Sequence, residues 1–168
     1  TPRICGLPAA RWAVLAGNFV DPRSAHALGL LTHLVEPADV AATVDEIAAA
    51  GKPENKYPGA PANADSPIAS FAQSFYSDEN VETLLAGGCP DGFDTEDKNV
   101  SRQLKSLSRA APVAVQLASE LLDESESTTL DEGLAGELGR LHEVFGSDDA
   151  LEGLSALIEG RRPEYKGE

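Results

Sequence analysis

The chain has 168 residues, no methionine, one tryptophan and two cysteines, and aromatics make up only 5% of it. Cys5 and Cys89 are far apart and form no CxxC pair, which argues against a disulfide scaffold or a zinc site and fits a reducing, cytoplasmic setting. No apolar run approaches the roughly 18 residues that span a bilayer, and the first residues lack the order of a signal peptide. His26, His33 and His142 stand in unrelated segments and no serine occupies a GxSxG elbow. Neither a metal ligand set nor a catalytic triad is indicated.

Basic residues are scarce too. Thirteen Lys and Arg face 28 Asp and Glu, a formal charge of -15 spread along the chain. Such a surface repels nucleic acid and anionic membranes. Acidic residues at the expense of lysine, with many Ala and Gly, are expected where high salt screens surface repulsion. The chain reads as a halophile's cytoplasmic protein, although an ordinary acidic protein carries the same signal. The length suits one domain.

What is present is mainly helical. Ala9, Trp12, Ala13, Leu15 and Ala16 predict a helix over 8–16 stopped by Gly17, because glycine adopts the left-handed stop cheaply. Asp21 reads as the N-cap of a helix opened by Pro22 and ending near Leu28-Gly29. Leu31–Val35, closed by Glu36-Pro37, is the one convincing strand. Val40, Val44 and Ile47 predict a helix over 38–50. Residues 51–67, with four prolines and two glycines, should be a loop or linker.

Short helices are expected over 67–76 and 78–86, then a turn at Gly87–Gly92, where Pro90 removes an amide that a phosphate cradle needs. Four helices follow, over 95–109, 112–123, 129–145 and 148–160. Thr129 with Glu132 has capping-box spacing. Leu130, Leu134, Leu138, Leu141 and Phe145 form one narrow stripe, so that helix should pack along its whole length.

Several side chains invite chemistry. Glu137 borders the leucine stripe and should be half-buried and paired, in a structural rather than catalytic role. His142 should be packed or interfacial. Asp148 and Asp149 read as solvated charge at a helix N-terminus. Arg161, Arg162 and Lys166 form the one basic cluster. It suits phosphate binding, since guanidinium forks match phosphate oxygens, and equally suits the compensation of exposed carbonyls at a helix end.

Three blocks together resemble the crotonase (enoyl-CoA hydratase/isomerase) superfamily: Thr1-Pro2-Arg3-Ile4 through Ala25-x-x-Leu28-Gly29-Leu30, then Ala111-Pro112-Val113-Ala114 with Leu130–Leu134 and Glu137, then Phe145–Pro163. They come in the family's order and leave about residues 51–98 unmatched. The resemblance implies the C-terminal part of an α/β crotonase-like fold, mostly helical here with one or two short strands. Residues 1–50 would end the spiral core, 51–98 would be an insertion or linker with short helices, and 99–168 would be the helical region of oligomerisation and the CoA cleft.

The family's shared chemistry is a thioester enolate held by two backbone amides, an oxyanion hole, with two glutamates moving protons in hydratases. Those motifs lie upstream of the point that Thr1 matches, so no catalytic residue is assigned and this piece alone is expected to be inactive. The resemblance assigns CoA contacts to Phe145 and Arg161, with Lys166 as a further cation. Leu157 and Gly160 depart from the aromatic and the lysine that many members carry. Acyl-CoA is the implied substrate and a trimer or hexamer the implied assembly. No metal or resident cofactor is implied, and NAD enters only with a fused 3-hydroxyacyl-CoA dehydrogenase. The stretch 51–98 is similar to that of 3-hydroxyisobutyryl-CoA hydrolases, which makes thioester hydrolysis the alternative reaction. A non-catalytic helical assembly subunit is the alternative outside enzymes.

Overall fold

A computed structural model describes residues 1–51 and 62–168. Most of the expected linker therefore lies outside the described residues. The chain forms α1 (Pro2–Cys5), α2 (Leu7–Val14), α3 (Pro22–Ala27), a 3-10 turn (Pro37–Asp39), α4 (Val40–Ala50), α5 (Pro67–Phe75) and α6 (Val81–Leu85). It continues through α7 (Lys98–Leu107), α8 (Pro112–Glu124), α9 (Leu130–Gly139), α10 (Leu141–Phe145) and α11 (Asp148–Glu159).

Local chemistry starts these helices where the sequence places it. The Asp21 carboxylate accepts from the Arg23 and Ser24 amides, Ser66 and Asp97 cap α5 and α7, and the Thr129–Glu132 capping box is complete. Each satisfies amides that the first helical turn leaves without a carbonyl. At the other end of α11, Gly160 takes the left-handed conformation at φ 69°, as its lack of a Cβ permits.

The core gathers around α2, which packs on α1, α5 and α8. Trp12, Leu28, Phe75, Tyr76, Leu84 and Val100 are buried in it. Phe75 stands at ring-centroid distances of 5.1 Å from Phe71 and 4.8 Å from Phe93. Helices α5 and α6 are thus part of the core of this body.

Two buried polar clusters fix the arrangement. Arg11, 3% exposed, donates to the Tyr76 carbonyl, to Asp78 at 2.6 Å and to Asp123 at 2.7 Å, joining α2 to the end of α5 and to α8. Gln103 Oε1 accepts from the Tyr76 hydroxyl at 2.8 Å and from Asn18 at 2.7 Å. Burial pushes the Tyr76 phenol well above its ordinary value, so it stays a neutral donor.

The structure corrects several expectations. No strand occurs among the described residues; Leu31–Val35 is irregular, and Leu31, Leu34 and Val35 are exposed. A strand needs a partner for its ladder, and this body offers none. The expected helix over 129–145 is broken at Arg140, which has φ −100° and ψ 1°. Gly133, Gly136 and Gly139 weaken the helix there, and Arg140 is drawn to Glu120 at 2.6 Å and Glu143 at 3.1 Å.

The leucine stripe does not pack along its length. Leu130, Leu134, Leu138, Leu141 and Phe145 are all exposed, Phe145 at 72%. On α11, Leu151, Leu154, Leu157 and Ile158 are exposed as well. Glu137 and His142 are exposed rather than packed. Helix α4, whose Val40 and Val44 are exposed, buries no residue. No described helix is long and apolar enough to cross a membrane.

Candidate functional site

The resemblance points to the C-terminal helices, and their arrangement starts at Ser147. Its hydroxyl accepts from the Ala150 amide and opens α11, which Gly160 ends. The Arg161 amide donates back to the Ala156 carbonyl at 3.0 Å, so the chain reverses and runs back along the helix it has just left.

Three contacts hold this returning tail. The Glu164 amide donates to Glu152 Oε1 at 2.7 Å. The Lys166 amide donates to Asp149 Oδ1 at 2.7 Å and the Gly167 amide to Asp149 Oδ2 at 3.0 Å. Between them Tyr165 lies on Gly153, where a Cβ would come within 3.1 Å of the Tyr165 hydroxyl. Asp149 is therefore not solvated charge: it is 2% exposed and serves the tail, whereas Asp148 is exposed.

The tail decides where the three candidate residues stand. Phe145 precedes α11, and the tail returns Lys166 to that same end, beside Asp149. Arg161 lies at the opposite end, separated by a helix of 12 residues, about 18 Å of rise. The fold thus brings Lys166 back toward Phe145 and leaves Arg161 apart.

Arg161 is also occupied. Its Nη2 donates to Glu152 Oε2 at 2.8 Å, its Nε to Glu159 at 2.6 Å, and Nη1 to Glu152 and to the Arg162 carbonyl. The Arg161 guanidinium and then the Glu164 amide pull the Glu152 carboxyl down to about 2, and the two carboxylates push Arg161 above its already high value. Arg162 and Lys166 are exposed.

A second feature adjoins these helices. An open groove of about 400 Å³ lies between α1, α8, α9 and α10, with an apolar floor of Leu117, Leu121, Leu134 and Leu141 and a rim including Arg3 and Arg140. Arg3 donates to the Thr129 carbonyl at 2.9 Å, closing one end on the α9 cap.

The shifted carboxyls are all held as anions. Asp21, Glu120, Glu132 and Glu152 are displaced, all downward, by hydrogen bonds to their ionised forms. No group of three or more potential metal ligands occurs among the described residues.

Comparison with known proteins then decides the lineage. A family model described as enoyl-CoA hydratase/isomerase matches residues 2–167. The chain belongs to the enoyl-CoA hydratase/isomerase family. Membership carries the crotonase fold, of which the described residues show a mostly helical part.

Curated relatives agree. The chain is 37% identical over 70 residues to a "probable enoyl-CoA hydratase" of Mycobacterium leprae, covering 42% of this chain and 26% of that protein. It is 34% identical over 61 residues to the 2,3-dehydroadipyl-CoA hydratase of Escherichia coli, covering 36% and 24%. It is 32% identical over 83 residues to a "probable enoyl-CoA hydratase 2, mitochondrial" of Arabidopsis thaliana, covering 49% and 27%. The chain thus spans about a quarter of the length of the curated relatives it matches. No solved structure is a significant match.

Sequence reasoning missed Asp149, Glu152 and Tyr165 as the residues that place the tail. Asp149 differs from Asp148 only in facing the returning chain, which spacing does not reveal. Glu152 and Gly153 carried a weak signal, since glycine inside a helix implies a close approach.

Proposed function

We propose that this chain is the C-terminal region of an enzyme that adds water to 2-enoyl-CoA thioesters, supplying subunit contacts and part of the CoA cleft. The apolar surface of α9, α10 and α11, ending at exposed Phe145, is the observation that carries this reading. Burying a leucine is worth about 1.5–3 kcal/mol, and an exposed apolar patch of this extent marks an interaction site. In this reading copies of the chain pack as a trimer or hexamer through that surface.

Phe145 and Lys166 then face the CoA moiety from one end of α11, the ring for stacking on adenine and the ammonium for a phosphate. Arg161 contributes a phosphate contact only by giving up a carboxylate partner. The enolate is held in an oxyanion hole, and the glutamates that handle protons belong to the family's upstream motifs. This chain contributes no catalytic residue.

A second reading, hydrolysis of a 3-hydroxyacyl-CoA thioester, rests on the resemblance of residues 51–98 to the corresponding stretch of 3-hydroxyisobutyryl-CoA hydrolases. Incubating the complete polypeptide with crotonyl-CoA and with 3-hydroxyisobutyryl-CoA separates the two. Hydratase activity gives 3-hydroxybutyryl-CoA without free thiol; hydrolase activity releases CoA thiol. Failure of both, with no CoA binding by calorimetry, would leave the helical assembly subunit as the surviving reading.

A further inference from the structure

A second groove, on a different face, opens between α2, α3, α5 and α7 with a volume of about 500 Å³. Its wall carries two guanidinium groups, Arg23 and Arg102, in a chain whose formal charge is -15. Among the described residues neither makes an ion pair, unlike Arg11, Arg140 and Arg161. Arg23 stands in the first turn of α3, where the helix dipole disfavours a cation. Helix stability does not explain it. Asp21 shares the groove, but its carboxylate is committed to the Arg23 and Ser24 amides and to the Ser24 hydroxyl at 2.5 Å.

The rest of the wall is aromatic and amide. Phe19 is 99% exposed at the edge of the groove, with Phe71 and Ile68 on the floor. Gln103, 3% exposed, is held there by Asn18 and Tyr76, so the base of the groove is fixed rather than collapsible. A free-standing aromatic ring beside two guanidinium groups that make no ion pair among the described residues matches a ligand with a flat face and an anionic end: the ring stacks, and the forks bind phosphate oxygens.

We propose that this groove binds a purine nucleoside monophosphate or a ligand presenting the same ring and anion. Its base lies on Phe19 and Phe71, its phosphate meets Arg23 and Arg102, and Asn99 at the rim is placed for the ring edge. The site is independent of the C-terminal residues assigned above and does not rest on the enzymatic reading.

The test is calorimetric titration of the complete polypeptide, in the salt that keeps it folded, with adenosine monophosphate, adenosine and inorganic phosphate. The expected result is one saturable site per chain for the nucleotide with Kd of about 1 mM or tighter, and at least roughly tenfold weaker binding of the other two. The double variant Arg23→Gln/Arg102→Gln should lose at least about tenfold, and Arg109→Gln, an exposed arginine outside the groove, should bind as the parent does. Because both substituted arginines are exposed, the variants retain the fold, which circular dichroism checks. No saturable heat, equal binding of inorganic phosphate, an unchanged double variant, or an equal loss in Arg109→Gln would each overturn the proposal.

Discussion

Glu152 reaches nine residues ahead to hold Arg161 with both carboxylate oxygens, Nη2 to Oε2 at 2.8 Å, while the Glu164 amide donates to the same carboxylate. This contact turns the tail back along α11 and delivers Lys166 to the end where Phe145 stands. A charge pair here is thereby an element of placement.

The pair makes acid stability depend on Glu152. Its folded carboxyl lies at about 2, below the ordinary 4.5, so its contribution is complete above about pH 4.5 and fades as pH falls through about 2. Glu152→Gln should remove that pH-dependent contribution and raise amide exchange at 164–167. Carbon-detected NMR titration reads the group directly; a midpoint near the ordinary value would mean that the pair does not hold in solution.

Arg11 makes a different kind of contact, buried among two carboxylates and a carbonyl. Replacing it by methionine keeps volume but removes charged hydrogen bonds, at a cost of about 2–3 kcal/mol. The Asp78 and Asp123 carboxylates are 82% and 48% exposed and can rehydrate, which keeps the loss below that of a fully buried pair. Urea unfolding of Arg11→Met measures it, and a change below about 0.5 kcal/mol would mean that Arg11 does not clamp the helices together.

Phe75 tests whether α5 belongs to the core. It is fully buried between Phe71, Tyr76 and Phe93. Phe75→Ala should cost about 3–5 kcal/mol in one cooperative transition. A mild effect, or a separate transition for this segment, would show that α5 and α6 fold as an appendage.

Salt should stabilise the molecule. With a formal charge of -15, self-repulsion is strong when the screening length is about 10 Å at 0.1 M and falls to about 3 Å at 1 M. The thermal midpoint should climb steadily between those concentrations of KCl. A flat profile would contradict the reading of this charge as an adaptation to high salt.

Local grammar was legible in the sequence. Asp21-Pro22, Pro112, Thr129 with Glu132, and Gly160 start or stop helices through groups within a few residues, so their effect needs no tertiary context. The break at Arg140 was not legible, because it follows from a reach to Glu120 on another helix. The burial of Asp149 beside exposed Asp148 was hidden for the same reason: a tail still some 17 residues ahead selects one of two identical neighbours.

The leucine stripe was legible as an apolar face but not in its partner. Periodicity shows that Leu130, Leu134, Leu138 and Leu141 share a side; it does not show what covers that side. Leu31–Val35 presents the same problem for a strand, whose backbone groups need a ladder from elsewhere. Of the candidate site, residue types were visible, whereas the separation of Arg161 from Phe145 and Lys166 required the reversal at Gly160.

If the exposed face of α9 and α10 is a subunit contact, sedimentation equilibrium of the complete polypeptide in molar KCl reads it out as mass. The parent should sediment with the mass of three or six chains, and Leu134→Glu/Leu138→Glu, two exposed positions whose change leaves the buried core intact, should sediment as one. A parent that remains a single chain across the accessible concentration range, or a double variant that still assembles, would contradict it.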